Sequence, residues 1–359
     1  MTYQRIPYED LANSPLAKLT DIASSALGSE IIEVTDEFFA PASNMINPLP
    51  PVHAPGKFVS TGAWMDGWET KRHNQDYDRC IIKLGFAGTL RGFDIDTSYF
   101  TGNQAPAASV DGCFCPSGKL EDCKWVEILP KESLPPSSHN VFVLDKETTE
   151  NYTHLRVNNY PDGGIARFRA YGNITPIFPE DKDTVLDLAF VGNGGRSVFC
   201  TNEHYTPANH LLLPGRGSHM GHGWETKRSR IPGYKDYAIF KLGAKGHLVK
   251  AVIDTSHYKG NYPHKIILEG TESQQEIPEE TAVWTSLIEP SSVGAHGLYY
   301  YDLPSTDKAF THARFTIVPD GGAKRLRLYG VREGGKLPLL PLANPQFEKF
   351  DDEVNGNGN

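Results

Sequence analysis

The sequence predicts an all-β protein made of two tandem homologous domains, each a β-sandwich or jelly roll. Three observations predict it. Short apolar runs recur, each bounded by Gly, Pro, Asn or Asp. Long motifs occur twice along the chain at nearly constant offset. The composition, with 34 Gly, 26 Pro and 16 Tyr against 4 Met, favours turns and strands over a helical bundle.

The strands follow in order. Cys80 to Leu84 and Ala238 to Leu242 are apolar runs closed by Gly. Arg91 to Asp96 and Leu248 to Asp254 read as further strands, as do Val141 to Leu144 and Leu298 to Tyr301. Leu16 to Ala26 reads as a short helix ahead of the first strand. Pro161-Asp162-Gly163-Gly164 and Pro319-Asp320-Gly321-Gly322 are turns, because Pro presets φ and Gly accepts positive φ.

The repeat defines the domains. Trp68-Glu69-Thr70-Lys71-Arg72 recurs as Trp224-Glu225-Thr226-Lys227-Arg228. Asp96-Thr97-Ser98 recurs as Asp254-Thr255-Ser256, each followed by Gly-Asn at 102–103 and 260–261. His154-x-Arg156, the Pro-Asp-Gly-Gly turn and Arg167-x-Arg169-x-Tyr171-Gly172 recur from His312 to Gly330. The expected layout is an N-terminal extension over 1–14, repeats over 15–175 and 182–331, and a partly disordered tail over 332–359. The polar joint Phe178-Pro179-Glu180-Asp181-Lys182-Asp183 reads as the linker.

Charge and composition exclude several classes. Thirty-five basic against 44 acidic residues give a net charge of −9, which argues against a general nucleic-acid surface. No apolar run reaches the roughly 18 residues of a membrane span, and no secretory or peroxisomal signal is visible, so the expected address is the cytoplasm. Five Cys, at 80, 113, 115, 123 and 200, fit free thiols in a reducing compartment. The two glycosylation sequons, at Asn151 and Asn173, carry no meaning without a secretory route. No P-loop, dinucleotide fingerprint or nucleophile elbow occurs.

Several residues carry chemistry. Strand alternation puts Arg167, Arg169 and Tyr171 on one face, and Arg325, Arg327 and Tyr329 likewise. Paired strands would then display Arg156 with Arg169, and Arg314 with Arg327, as carboxylate clamps; a solvated face of ion pairs is the plainer alternative. In Trp-Glu-Thr-Lys-Arg, the Trp is either a pocket wall or a core plug, and Glu with Arg either a site or a buried ion pair. Asp96 and Asp254 close strands, where binding groups collect, though an Asx turn accounts for them equally. His219-x-x-His222-x-x-Glu225 is a weak candidate for a divalent metal, and Cys113, Cys115 and Cys123 lack paired zinc spacing.

These duplicated motifs resemble the allantoicase family over nearly the whole chain, from about 10 to 335, and Asp36-Glu37-Phe38-Phe39-Ala40 resembles its opening. The resemblance implies two galactose-binding-like jelly rolls and a hydrolase acting on a linear amidine-type C–N bond. It implies allantoate as the small-molecule substrate, ureidoglycolate and urea as products, and a role in allantoin degradation. On that chemistry, Glu69, Glu225, His139 and His296 are the expected acids and bases. Arg72, Arg228, Asp96, Asp254, Arg156, Arg314, Arg169 and Arg327 are the expected substrate-binding groups. His139 and His296 match across the copies, so either repeat or both would act. No cofactor is certain, a divalent metal and homo-oligomerisation stay open, and neither nucleic acid nor membrane is an expected partner. The rival readings are a non-catalytic pair of carbohydrate- or small-molecule-binding sandwiches, a cupin-like metal enzyme, which lacks its matched His-x-His ligands, and a structural scaffold.

Overall fold

The computed structural model describes residues 1–217 and 219–345. The chain divides into two compact units, Met1–Thr175 and Pro176–Asn359. Each is organised around one strand of 19 residues, Asp78–Asp96 in the first and Asp236–Asp254 in the second. Sequence reading splits each of these into two shorter strands. The breakpoints it used, Gly85 and Gly243, and the nearby Gly88, are places where the strand passes close to another backbone. A Cβ on Gly88 would stand 2.5 Å from the Asn173 carbonyl oxygen, and one on Gly243 would stand 1.7 Å from that of Asn193. Glycine there permits close approach, and the chain continues in the sheet.

In the first unit the early half of Asp78–Asp96 pairs with Glu30–Val34 and Tyr152–Tyr160. The late half pairs with Val141–Leu144 and Arg167–Ile174. Tyr152–Tyr160 extends the sheet through Ala107–Cys113 to Val126–Ser133. All these pairings are antiparallel, and the second unit repeats the plan with Arg196–Cys200, Phe310–Val318, Leu298–Asp302 and Arg325–Arg332 around its own long strand. Alternation sends Phe93, Ile95, Phe142 and Phe168 into one core with Trp68, Ile82 and Leu155. The opposite face of the late half is also covered. Leu16, Val141 and Val143 form a small second cluster there, with Ile6, Leu11, Leu19 and Tyr171 packed against it.

Three expectations change. Residues expected as an extension supply the strand Tyr3–Ile6, which pairs with Val141–Leu144 at the sheet edge. The helix expected over 16–26 is a turn, a two-residue strand Thr20–Asp21 and a short 3-10 turn Ser25–Leu27, because Asp21 and Ser24 use their side chains to bond Ala23 and Ala26 backbone N–H groups. Cys115 and Cys123 form a disulfide, so only Cys80, Cys113 and Cys200 are free thiols. In the tail, the buried Lys250 Nζ donates to the Leu342 carbonyl at 2.8 Å and Asn344 Oδ1 at 2.7 Å, so this stretch is anchored. The disorder expected at the C-terminal end falls on 346–359, outside the described residues.

Trp68 and Trp224 are both fully buried, each donating its indole N–H to a carbonyl, Asp36 and Asn202 respectively, at 2.8 Å. Trp68→Ala is expected to cost the first unit about 3–5 kcal/mol, through the cavity left behind. Chemical denaturation should show that unit's midpoint moving to lower denaturant, with Trp68→Phe losing less.

Candidate active site

The repeated motifs meet at one end of each sandwich. Thr70 fastens the Pro-Asp-Gly-Gly turn: its hydroxyl accepts the Gly163 N–H at 3.0 Å, and Thr226 does the same for Gly321 at 3.1 Å. Glu69 accepts from Asn103 Nδ2 at 2.8 Å, and Glu225 from Asn261. Burial raises the Glu69 carboxyl above the ordinary glutamate range, against the lowering pull of Asn103 and Arg72. Arg72 pairs with Asp162 at 3.3 Å, not with Glu69, and donates to the Gly102 carbonyl at 2.7 Å. Trp is therefore a core plug in both copies, and Glu and Arg of the motif answer different partners.

A second polar cluster occupies the covered outer face of the first unit. Asp94 and Asp96 lie two apart on the long strand and share that face. Arg169 is directly across from Asp94, and Arg167 from Asp96. His139 Nδ1 sits 2.7 Å from Asp94 Oδ2, and its Nε2 faces Asp96 Oδ2 at 3.8 Å. Asp96 Oδ1 accepts the Ser98 N–H at 2.7 Å. Asp96 Oδ2 is buried and has no hydrogen-bond partner among the described residues. The Tyr8 ring stacks on His139 with centroids 3.7 Å apart. Arg169 reaches Asp21 Oδ2 and the Leu49 carbonyl, both at 3.3 Å. Arg167 is buried and spent on the Leu49 and Asp66 carbonyls and the Asp66 carboxylate.

This cluster is tuned. Burial opposes a charge on His139, yet the Asp94 hydrogen bond and the Asp94 and Asp96 charges prevail, so its pKa is raised. Burial raises Asp96 against its bonds to Ser98. Burial also raises Tyr8, with Asp94 and Asp96 adding to it. A partly exposed imidazole beside two carboxylates is a constellation that can give and take protons. Asp94 and Tyr8 were missed in the sequence. Asp94 was signalled by its place two residues before Asp96. Nothing in the sequence ties Tyr8 to this face.

The second unit does not repeat it. Val252 stands where the first unit has Asp94, since Tyr300 pairs with Val252 as Val141 pairs with Asp94. That register carries one extra residue ahead of Leu298–Asp302, so Leu298 answers His139 and His296 answers Ser137. The match of His139 with His296 is thus corrected. Ser137 Oγ and His296 Nδ1 play the same part, accepting the backbone N–H of Tyr99 at 3.2 Å and of His257 at 2.8 Å. Asp254 is held by Arg216, with nitrogen–oxygen distances of 3.1 and 3.2 Å, and by Ser256. Arg327 pairs with Asp187 at 3.6 Å.

The expected arginine clamps do not assemble. Tyr152–Tyr160 and Arg167–Ile174 each pair with the long strand, on different halves, and not with one another. Arg156 binds Asp111 at 2.8 Å and stacks on Trp125; Arg314 binds Glu269 at 2.7 Å and stacks on Trp284. His219 and His222 lie together, ring centroids 3.9 Å apart, but Glu225 is engaged by Asn261. Burial, with His219, Lys324 and Arg325 adjacent, pushes His222 down to about 4. A cationic neighbourhood repels a metal ion, and no group of three or more His, Cys, Asp or Glu is placed to hold one among the described residues. These residues do not fit a metal centre.

Comparison with known proteins bears on the whole chain. The model of the allantoicase repeat matches residues 20–175 and again 186–333. A probable allantoicase of Schizosaccharomyces pombe is 47% identical over 316 residues, covering 87% of this chain and 92% of that protein. An allantoicase of Neurospora crassa is 43% identical over 338 residues, covering 91% and 96%. The crystal structure of an allantoicase from Saccharomyces cerevisiae superposes with a TM-score of 0.77 at 36% identity, covering 92% of this chain and 100% of that one. With both repeats matched and the sandwich plan shared end to end, this chain belongs to the allantoicase family.

Proposed function

We propose that this protein hydrolyses allantoate to ureidoglycolate and urea, a step of allantoin degradation that recovers purine nitrogen. The observation that carries this reading is the pair of matched repeats, with relatives named allantoicase at 41% to 47% identity over 87% to 91% of the chain. Among the described residues, no helix is long and apolar enough to cross a membrane. The proposed setting is the cytoplasm.

We place the chemistry at the His139 cluster of the first unit. Allantoate carries two ureido groups and a carboxylate on one carbon. The C–N bond to one ureido group breaks, and its electron pair stays on the departing nitrogen. His139 Nε2 supplies the proton that makes this nitrogen part of urea. Nε2 is the nitrogen left available, since Nδ1 is engaged by Asp94. The electron-poor carbon left behind is stabilised by the nitrogen lone pair of the remaining ureido group. Water adds to that carbon, and His139 takes back the proton the water loses, giving the hydroxyl of ureidoglycolate. Asp94 fixes the ring and its tautomer, and the charges of Asp94 and Asp96 support the imidazolium. Arg169 has donors to spare beyond its two long bonds to Asp21 and Leu49, and these meet the substrate carboxylate. The second unit, with Val252 and Leu298 at the matching places, contributes no acid or base of this kind.

The direct test incubates purified protein with allantoate and quantifies urea together with ureidoglycolate or the glyoxylate it decays to. Equal amounts of both products are expected; intact protein that releases no urea would sink the proposal. His139→Gln is expected to lower kcat about 10²- to 10⁴-fold.

The pH profile gives an independent check. His139 acts first as an acid, so activity is present below its raised pKa and falls as pH rises through it. Asp94→Asn removes the main raising influence and leaves burial opposing the charge. The basic limb of kcat/KM should therefore move to lower pH, toward or below the ordinary histidine value of about 6.5. An unmoved limb would exclude His139 as the titrating acid.

A further inference from the structure

The second unit holds a cavity of about 530 Å³, lined by neither Val252 nor Leu298 and bounded by Glu225, Arg228, Asn261, Tyr262, His264 and Asp320. Tyr205 completes its wall. The residues come from three repeated segments: Trp-Glu-Thr-Lys-Arg, the Gly-Asn loop and the Pro-Asp-Gly-Gly turn. The two units differ at this place in several residues, Tyr262 and His264 standing where the first has Gln104 and Pro106, and in what their arginine binds. In the first unit Arg72 is consumed by Asp162 at 3.3 Å and the Gly102 carbonyl at 2.7 Å. In the second, Arg228 lines the cavity and makes no ion pair or side-chain hydrogen bond among the described residues. Asp320 accepts the Ser229 N–H at 2.6 Å, as Asp162 accepts that of Asn74 at 2.9 Å.

The polar groups select a ligand type. Asn261 holds one oxygen of Glu225, and Ser229 holds one oxygen of Asp320. The other oxygen of each carboxylate remains an acceptor for a guest. Arg228 is a donor only. A small anion would meet Arg228 but also two carboxylates, and a small cation would meet the carboxylates but also Arg228. A neutral planar group with N–H bonds on one edge and a carbonyl oxygen on the other satisfies both. Tyr205, Tyr262 and His264 offer flat rings to cover its faces.

We propose that this cavity is a binding site for uncharged ureido compounds, of which urea is the simplest, separate from the centre where the C–N bond is broken. The inference rests on the proposed reaction only for the expectation that such compounds are at hand. Arg228 binds the carbonyl oxygen, and Glu225 and Asp320 accept the N–H groups. Occupancy would make the second unit responsive to a product released by the first.

The test uses the intact chain with isotope-labelled histidine, titrated with N-methylurea and, separately, with acetate. His264 lines the cavity and reports on it; His139 reports on the first unit. The His264 imidazole signals are expected to move and saturate with N-methylurea and stay put with acetate. In Arg228→Ala the response should need about tenfold more ligand, the loss of one charge-assisted hydrogen bond. Lys227→Ala, exposed beside it and outside the cavity, should respond like the parent protein. A melting curve for each variant shows that it is folded. A His264 signal that only drifts without saturating, moves equally with acetate, or is unchanged by Arg228→Ala overturns the inference. Movement of His139 alone also overturns it while leaving the proposed reaction intact. A saturating His264 response in a protein that releases no urea from allantoate leaves this site standing and removes the proposed reaction.

Discussion

One strand in each unit has four neighbours, and the rest of the structure follows from it. Asp78–Asp96 spends its early half against Glu30–Val34 and Tyr152–Tyr160 and its late half against Val141–Leu144 and Arg167–Ile174. A strand shared in this way must bend between its two halves. The bend is made where the backbones of 88–90 and 172–174 crowd together, and a Cβ on Gly172 would lie 1.8 Å from the Thr89 carbonyl oxygen. Downstream of the bend, period-two alternation leaves Asp94 and Asp96 on one face and Phe93 and Ile95 on the other. The polar cluster is therefore a direct result of where the strand is bent and which residues fall out of phase with the core.

Much of this was legible in the sequence. The duplication exposed the domain plan, because a motif such as Trp-Glu-Thr-Lys-Arg survives twice only if both copies need it. The structure supplies the need: an indole filling a core, a threonine pinning a turn, and a glutamate bonded to an asparagine one loop away. The same duplication misled where the copies diverge. A single extra residue before Leu298–Asp302 shifts the register, so residues that align by eye, His139 and His296, occupy different places. Searching for what is repeated also hides what is not. Asp94 has Val252 as its counterpart and was passed over, and the contact of Tyr8 with His139 joins residues far apart in sequence.

The arginines show the limit of reasoning from strand faces. Alternation correctly placed Arg167 and Arg169 on one side, yet a shared side does not mean a shared partner. Arg156 and Arg314 each lie against a tryptophan and a carboxylate on another part of the sheet. Arg167 is buried under the proline-rich stretch and binds its carbonyls, where it staples a loop that has no strand of its own. The same residue type thus does two different jobs within one domain, separated by what each guanidinium can reach.

The strand Tyr3–Ile6 has a consequence beyond its contribution to the sheet. It lies along Val141–Leu144, an apolar run that would otherwise present unpaired backbone N–H and C=O groups at the sheet margin. Four residues thereby keep a flat, sticky edge from recruiting strands of other molecules. The side chains of Arg5 and Tyr3 tie the strand down, to Asn140 and Glu132. The segment that carries Tyr8 over His139 is thus also a guard against self-association. Proteolytic nicking or a bulky fusion at this end would uncover the His139 ring and bare the edge of Val141–Leu144 together.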